Sequence, residues 1–301
     1  MSSQVETTEH AAGTPLVELE NLRVVLPTGD RSEVEAVRRV DLVVRHGERV
    51  GIVGESGSGK SVTGRAIAGL LPTSPRVRVS GSIRFDGREM IGAPDTAWDT
   101  IRREHVGMIF QDPLTFLNPT MRIWRQVAES IPREREGSEA ARRQAVHRFL
   151  RQAGLDDAEQ VAMGFPHELS GGMRQRVLIA IAIAKLPSLI IADEPTTALD
   201  ATVQKRVLQT LDDTVSELRT SLILISHDLA VVSRMTDRIY VMYAGRMVEE
   251  GPTAQVMREP RHPYTQALLR SVRSLIDPDT ELYSIPPSLR RELAAEVRDA
   301  P

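Results

Sequence analysis

The chain contains no cysteine in 301 residues, which removes disulfides, cysteine-ligated zinc and cysteine-bound iron–sulfur clusters together. It also lacks a basic excess. Lys and Arg total 38 against 41 Asp and Glu, a formal net charge of −3, so there is no electrostatic case for a nucleic-acid partner. No long hydrophobic run occurs either. The longest, Val177–Ala184, falls well short of the roughly 18 residues of a membrane span. Any membrane association is therefore expected through a partner. The first residues, MSSQVETTEHAAGTP, have no apolar segment of the kind a secretory signal needs, and residues 1–14 read as a flexible tail.

What is present is an ordinary globular composition, 41% hydrophobic and 26% charged, in a chain long enough for one large domain with an appendage. Short β-like runs, LVELENLRVVL and VEAVRRVDLVV, flank the turn-rich PTGDRS. ERVGIVG reads as a buried strand that runs into a glycine-rich loop and then a helix, SVTGRAIAGLL, stopping at Pro72. SGSIRFDG reads as an edge strand. From about Asp112 to Gly172 the β texture disappears, and EAARRQAVHRFLRQAG is helical with Val146, Phe149 and Leu150 on one face. Strands SLIIAD and SLILIS then alternate with helices TVQKRVLQTLDDTVSELR and DLAVVSRM, and RIYVMYAGRMVEEG forms a hairpin about Ala244-Gly245. Such alternation predicts an α/β fold with a largely parallel sheet flanked by helices.

The glycine-rich loop, Gly54-Glu55-Ser56-Gly57-Ser58-Gly59-Lys60-Ser61, fits G-x-x-x-x-G-K-(S/T) between a strand and a helix that continues with Val62. Glycines let backbone N–H groups wrap phosphates, and the helix N-terminus adds positive dipole. Lys60 is placed to neutralise the β- and γ-phosphates and Ser61 to ligate Mg²⁺. The bland alternative, a chance turn opening a helix, does not account for the flanking strand and helix.

Further along, LIIAD ends in Asp193 and is followed by Glu194. In P-loop ATPases an Asp here holds Mg²⁺, and the adjacent Glu can act as general base on water. An apolar strand ending in acid is weak evidence alone; paired with the phosphate loop it is strong. His227, after SLILIS, lies where ligands bind in open α/β sheets, although a lone histidine is more often structural. Gln111 means little by itself.

Leu169-Ser170-Gly171-Gly172-Met173-Arg174-Gln175-Arg176 supplies a second anion site, a serine and paired glycines opening a long helix. This stretch resembles the signature motif of the ABC ATPases, with Met where Gln is commoner, and the resemblance extends over about residues 16–275. It implies a P-loop NTPase cassette with a RecA-like core, an antiparallel β-subdomain and a helical subdomain at about 112–172, within a domain spanning 15–275, followed by a cysteine-free extension at 276–301. It also implies ATP and Mg²⁺ as ligands. By likeness to the family, Gln111 touches Mg²⁺ and water, Glu194 is the catalytic base and His227 senses the γ-phosphate. Ser170, Gly171 and Gly172 close over the nucleotide of a partner cassette, and Ala198-Leu199-Asp200 contacts that partner.

Phe110–Pro119, Pro166–Arg176, Val241–Gly251 and especially His262-Pro263-Tyr264-Thr265-Gln266-Ala267-Leu268-Leu269 resemble the oligopeptide/dipeptide/nickel importers, although Phe116 replaces the more usual Ser. That likeness implies two transmembrane permease subunits, a second ABC ATPase subunit (a related chain or a second copy), an extracytoplasmic substrate-binding protein, and a place on the cytoplasmic face of the cell membrane. Many relatives carry an adenine-stacking aromatic near Leu26, which offers apolar contact without π-stacking. Many also end in a cysteine-bearing extension holding an iron–sulfur cluster; here none is expected. The alternatives are a soluble ABC ATPase of DNA repair or translation, a module that only binds ATP, and an importer of nickel or another small solute.

Overall fold

The computed structural model describes residues 14–29, 32–72, 74–132, 138–197 and 199–276. The expected tail up to residue 13, the extension from 277 onward and Ala198 lie outside the described residues.

Two long strands open the fold, β1 (Pro15–Pro27) and β2 (Glu33–Arg45), paired antiparallel from Pro15↔Arg45 to Pro27↔Glu33. β3 (Arg49–Val53) leads through the glycine-rich loop into α1 (Lys60–Ile67). This helix ends earlier than the apolar pattern suggests. Gly69 adopts φ 64°, and Gly69 and Leu70 donate to Ala66 and Arg65 carbonyls, closing the helix before Pro72 is reached. β4 (Arg78–Phe85) and β5 (Arg88–Glu89) complete an antiparallel sheet of order β2-β1-β4-β5.

Next come α2 (Asp95–Thr100), a wide turn over Ile101–His105, and β6 (Val106–Ile109). β6 is absent from the sequence reading because four residues containing Gly107 carry no periodicity. That glycine admits a later helix closely: a β-carbon on it would lie 2.5 Å from the Ala182 carbonyl oxygen. The stretch to the next strand is helical: α3 (Pro113–Phe116), α4 (Ile123–Glu129), α5 (Glu139–Gln152), α6 (Ala158–Met163) and α7 (Gly171–Ile183). α5 buries Ala145, Val146, Phe149 and Leu150, as its spacing requires.

β7 (Leu189–Asp193), α8 (Ala201–Leu218), β8 (Ser221–Ser226), α9 (Leu229–Met235), β9 (Arg238–Tyr243), β10 (Arg246–Pro252), α10 (Thr253–Arg258) and α11 (Pro263–Ile276) complete the described fold. The second sheet has the order β10-β9-β3-β8-β7-β6 and is parallel except for the β10 edge. Every residue of β7 and β8 is buried, because layers cover both faces of the sheet. Alternate residues serve different cores. Ile190, Ala192, Leu222 and Leu224 join the helices, whereas Leu189, Ile191, Ile223 and Ile225 join the antiparallel layer. Leu26 is half-buried on β1 opposite Val34, packed on that second core.

Candidate active site

Parallel pairing in register collects the predicted residues at one edge of the sheet. Val53 pairs with Ser226, Asp193 with Ile225, and Ile109 with Ala192. The glycine-rich loop, Glu194, His227 and Gln111 therefore leave neighbouring strands together, at the carboxyl ends where such sheets bind ligands.

The loop is shaped by Gly54, Gly57 and Gly59 at φ 152°, 80° and 107°. These conformations suit a residue without a β-carbon. The approach is also close: a β-carbon on Gly54 would lie 2.1 Å from the Met242 carbonyl oxygen. α1 starts at Lys60 with Gly59 as its N-cap and no side-chain cap, so its leading N–H groups remain open to an anion. Ser58 Oγ is buried without a hydrogen-bond partner. Ser56 and Gly57 are exposed, and the half-buried Val62 packs against the second core.

Lys60 is buried, and its Nζ donates to the carbonyl oxygens of Gly54 at 2.9 Å and Glu55 at 2.8 Å. Burial holds its pKa below the ordinary lysine value, opposed by the carboxylates of Glu194, Asp193 and Glu55. A buried ammonium folded onto its own loop, beside an uncapped helix N-terminus, has the chemistry of a polyphosphate cradle.

Asp193 is also buried and accepts a hydrogen bond from Ser61 Oγ at 2.7 Å. Burial raises its carboxyl pKa; the Ser61 hydrogen bond and Arg65 oppose this. A hydroxyl and a carboxylate are hard oxygen donors, and no cluster of three or more His, Cys, Asp or Glu side chains placed to hold a metal occurs among the described residues. Such a donor pair leaves most of an ion's shell to phosphate and water, which fits Mg²⁺.

Glu194 turns off the strand in a left-handed conformation, φ 49°, with its N–H donating to the Ile225 carbonyl at 2.9 Å. Its Oε2 accepts from Thr197 Oγ1 at 2.9 Å and lies 3.3 Å from His227 Nδ1. His227 is otherwise open to solvent, with 61% of its side chain exposed. A carboxylate and an imidazole joined at the mouth of a phosphate cradle can hold and deprotonate water. Thr197 belongs to none of the motifs read from the sequence. Its signal was only its place three residues after Glu194.

Gln111 is exposed, two residues past β6. Its neighbour Phe110 is fixed twice: Gln175 Nε2 donates to its carbonyl oxygen at 3.2 Å, and its ring stacks on Phe116 at 3.5 Å between centroids.

The Ser170–Gly172 stretch lies elsewhere. α1 packs on β2, β7 and β8, whereas α7 packs on β6, α3, α4, α5 and α8. Ser170 caps α7, its Oγ accepting from Met173 N–H at 3.3 Å, and Gly171 and Gly172 form the first turn. A β-carbon on Gly172 would lie 2.3 Å from Val203 Cγ1, so glycine there lets α7 and α8 touch. Asp200 caps α8, accepting from the N–H groups of Thr202 and Val203 at 3.1 and 3.0 Å.

Comparison with known proteins gives a consistent set of likenesses. A family model described as ABC transporter matches residues 37–197, and one described as oligopeptide/dipeptide transporter, C-terminal region, matches residues 248–296. The oligopeptide transport ATP-binding protein OppD of Bacillus subtilis (strain 168) is 45% identical over 275 residues, 91% of this chain and 76% of that protein. The dipeptide transport ATP-binding protein DppD of Haemophilus influenzae is 45% identical over 258 residues, 85% of this chain and 78% of that one. A dimeric post-hydrolysis structure of the ATP-binding cassette MJ0796 bound to ADP and Pi superposes with a TM-score of 0.69 at 31% identity, covering 79% of this chain and 98% of that one.

Proposed function

The chain belongs to the ABC transporter ATP-binding family, and from that membership we propose that it binds and hydrolyses ATP to power a peptide importer. The observation that carries the hydrolytic part is the convergence of Lys60, the Ser61–Asp193 pair and the Glu194–His227 pair at the carboxyl ends of β3, β7 and β8. The peptide part rests on the C-terminal match, which includes the His262–Leu269 motif.

In this reading, residues 54–62 wrap the triphosphate of ATP with backbone N–H groups, and Lys60 exchanges its two carbonyl contacts for phosphate oxygens. Ser61 and Asp193 hold Mg²⁺, with Gln111 beside it. When bound, the ion neutralises charge on the phosphates. Glu194, oriented by Thr197, takes a proton from water as that water attacks the γ-phosphorus in line, and ADP and phosphate leave. His227 contacts the γ-phosphate and ties its presence to the Glu194 carboxylate. Ser170, Gly171 and Gly172 serve the nucleotide of a second cassette, and Asp200 stands near that partner. The separate packing of α1 and α7 supports this division.

The domain assignment follows the same reading: an ATPase domain over 15–275, with a helical subdomain at about 112–172. No helix among the described residues is long and apolar enough to cross a membrane. A permease pair, with a substrate-binding protein on the far side, would hold the chain at the cytoplasmic face.

Purification of the tagged chain from detergent-solubilised native membranes, with mass spectrometry of what accompanies it, tests the assignment. A permease pair with a second cassette, and peptide-stimulated phosphate release, are expected. Ribosomal or DNA-repair proteins without a permease would overturn the transport reading and leave the ATPase reading standing.

A further inference from the structure

The Gly54–Glu55 peptide group is held at both ends. Its oxygen accepts from Lys60 Nζ at 2.9 Å, and its N–H donates to the hydroxyl oxygen of Tyr264 at 2.9 Å, from a residue 209 positions away in sequence. Tyr264 is fully buried at the start of α11, with its ring 4.6 Å from that of Tyr243 at the end of β9. The start of α11 is itself tied down, since the Glu249 carboxylate on β10 accepts from the N–H groups of Arg261 and His262 at 2.7 and 3.0 Å. His262 Nδ1 accepts from the Tyr264 N–H at 3.2 Å.

A peptide following a glycine at φ 152° lacks the β-carbon that normally restricts rotation. Rotation of this one group would turn the Gly54 oxygen away from Lys60 and swing the Glu55 N–H out of place. The Lys60 contact cannot prevent that during turnover, because the ammonium is needed by phosphate. The tyrosine contact does not compete with nucleotide.

We propose that Tyr264 is a positioning residue for the phosphate loop, pinning the Gly54–Glu55 peptide from the C-terminal helix and so keeping the loop in its binding-competent shape. This rests on the reading of residues 54–62 as the nucleotide cradle. Removal of the hydroxyl populates other loop shapes, and apparent affinity falls by the fraction of competent loop. The bound state is unaltered, so the chemical step is spared.

The test is Tyr264→Phe in the full chain, which keeps the buried ring and deletes the acceptor. ATP–Mg²⁺ affinity is measured by calorimetry, and steady-state hydrolysis in the permease complex. We expect the dissociation constant and KM to rise about five- to tenfold, as a competent fraction of roughly 0.1–0.2 requires, with kcat changed by less than about twofold. A loss of kcat at unchanged KM, or unchanged binding where the wild type binds ATP, overturns the proposal without touching the ATPase reading. Absence of ATP binding in the wild type brings down that reading and the inference with it. Amide exchange of Glu55 in the nucleotide-free wild type decides the point even if the variant misfolds: protection like that of a buried strand supports the pin, and rapid exchange overturns it.

Discussion

The hydroxyl of Ser61 donates to Asp193 Oδ1 at 2.7 Å across 132 positions of sequence, joining the helix that opens after the phosphate loop to the end of β7. That contact joins a strand end that is weak evidence alone to the glycine-rich loop motif. Asp193 is buried with its carboxyl pKa raised by desolvation. A carboxyl whose folded pKa lies above its unfolded value destabilises the fold at pH above that folded pKa, and the penalty is relieved as pH falls through it. Asp193→Asn is therefore expected to melt no lower than wild type at neutral pH, while ATP turnover falls at least about tenfold through loss of the proposed Mg²⁺ ligand. Scanning calorimetry beside a phosphate-release assay checks both; a lower melting temperature with intact turnover contradicts the assignment.

Glu194→Gln preserves shape and both neighbours but removes the carboxylate proposed as the base. ATP binding is expected to persist, with hydrolysis slowed by about 10²–10⁴-fold. Single-turnover kinetics separates this from a binding defect, and near-normal turnover would exclude Glu194 as the base.

Gly172 has a packing role that can be separated from its proposed ligand role. Gly172→Ala sets a methyl group against Val203 Cγ1 and is expected to cost about 1–3 kcal/mol by overpacking. Adding Val203→Ala makes room, so the double variant should recover much of the melting temperature. If hydrolysis stays depressed after stability returns, the glycine is needed for ligand approach; if it returns fully, packing was the whole requirement.

Lys185 follows α7, with its Nζ donating to the Val106 carbonyl oxygen at 2.9 Å, and burial pulls its pKa down to about 8. The unfolded chain binds that proton more tightly, so between about pH 8 and the unfolded lysine value near 10.4 the fold gains stability as pH rises, by up to about 1.4 kcal/mol per unit. Comparison with Lys185→Met isolates the effect. The stability difference is expected to shift in favour of wild type by more than about 1 kcal/mol between pH 7.5 and 10, and denaturant titrations at both pH values measure it. A flat difference would mean the ammonium is not desolvated.

Much of this was legible before the fold was known, for identifiable reasons. β7 and β8 are continuous apolar runs because both faces are covered, and α8 shows its face through Val207, Leu211 and Val215. The loop at 54–61 is readable because its glycines, Lys60 and Ser61 fall at a fixed spacing between a strand and a helix. β6 was not legible, being four residues long. The hold of Tyr264 on Glu55 joins groups that sequence spacing leaves unrelated, and that of Thr197 on Glu194 shows in the sequence only as a three-residue separation. The His262–Leu269 motif pointed to a subgroup, but nothing in its spacing indicated that Tyr264 reaches the phosphate loop.

α1 begins without a side-chain cap and α7 begins with Ser170 over one N–H, and they are built on different parts of the molecule, one against β2, β7 and β8 and the other against β6 and four helices. On the proposed division of the nucleotide site, each chain would carry one half of two reactions rather than the whole of one. Turnover per chain should then climb with protein concentration before it levels, and its dependence on ATP should be sigmoidal. A catalytically dead chain mixed with active ones should depress the rate more steeply than its share of the mixture.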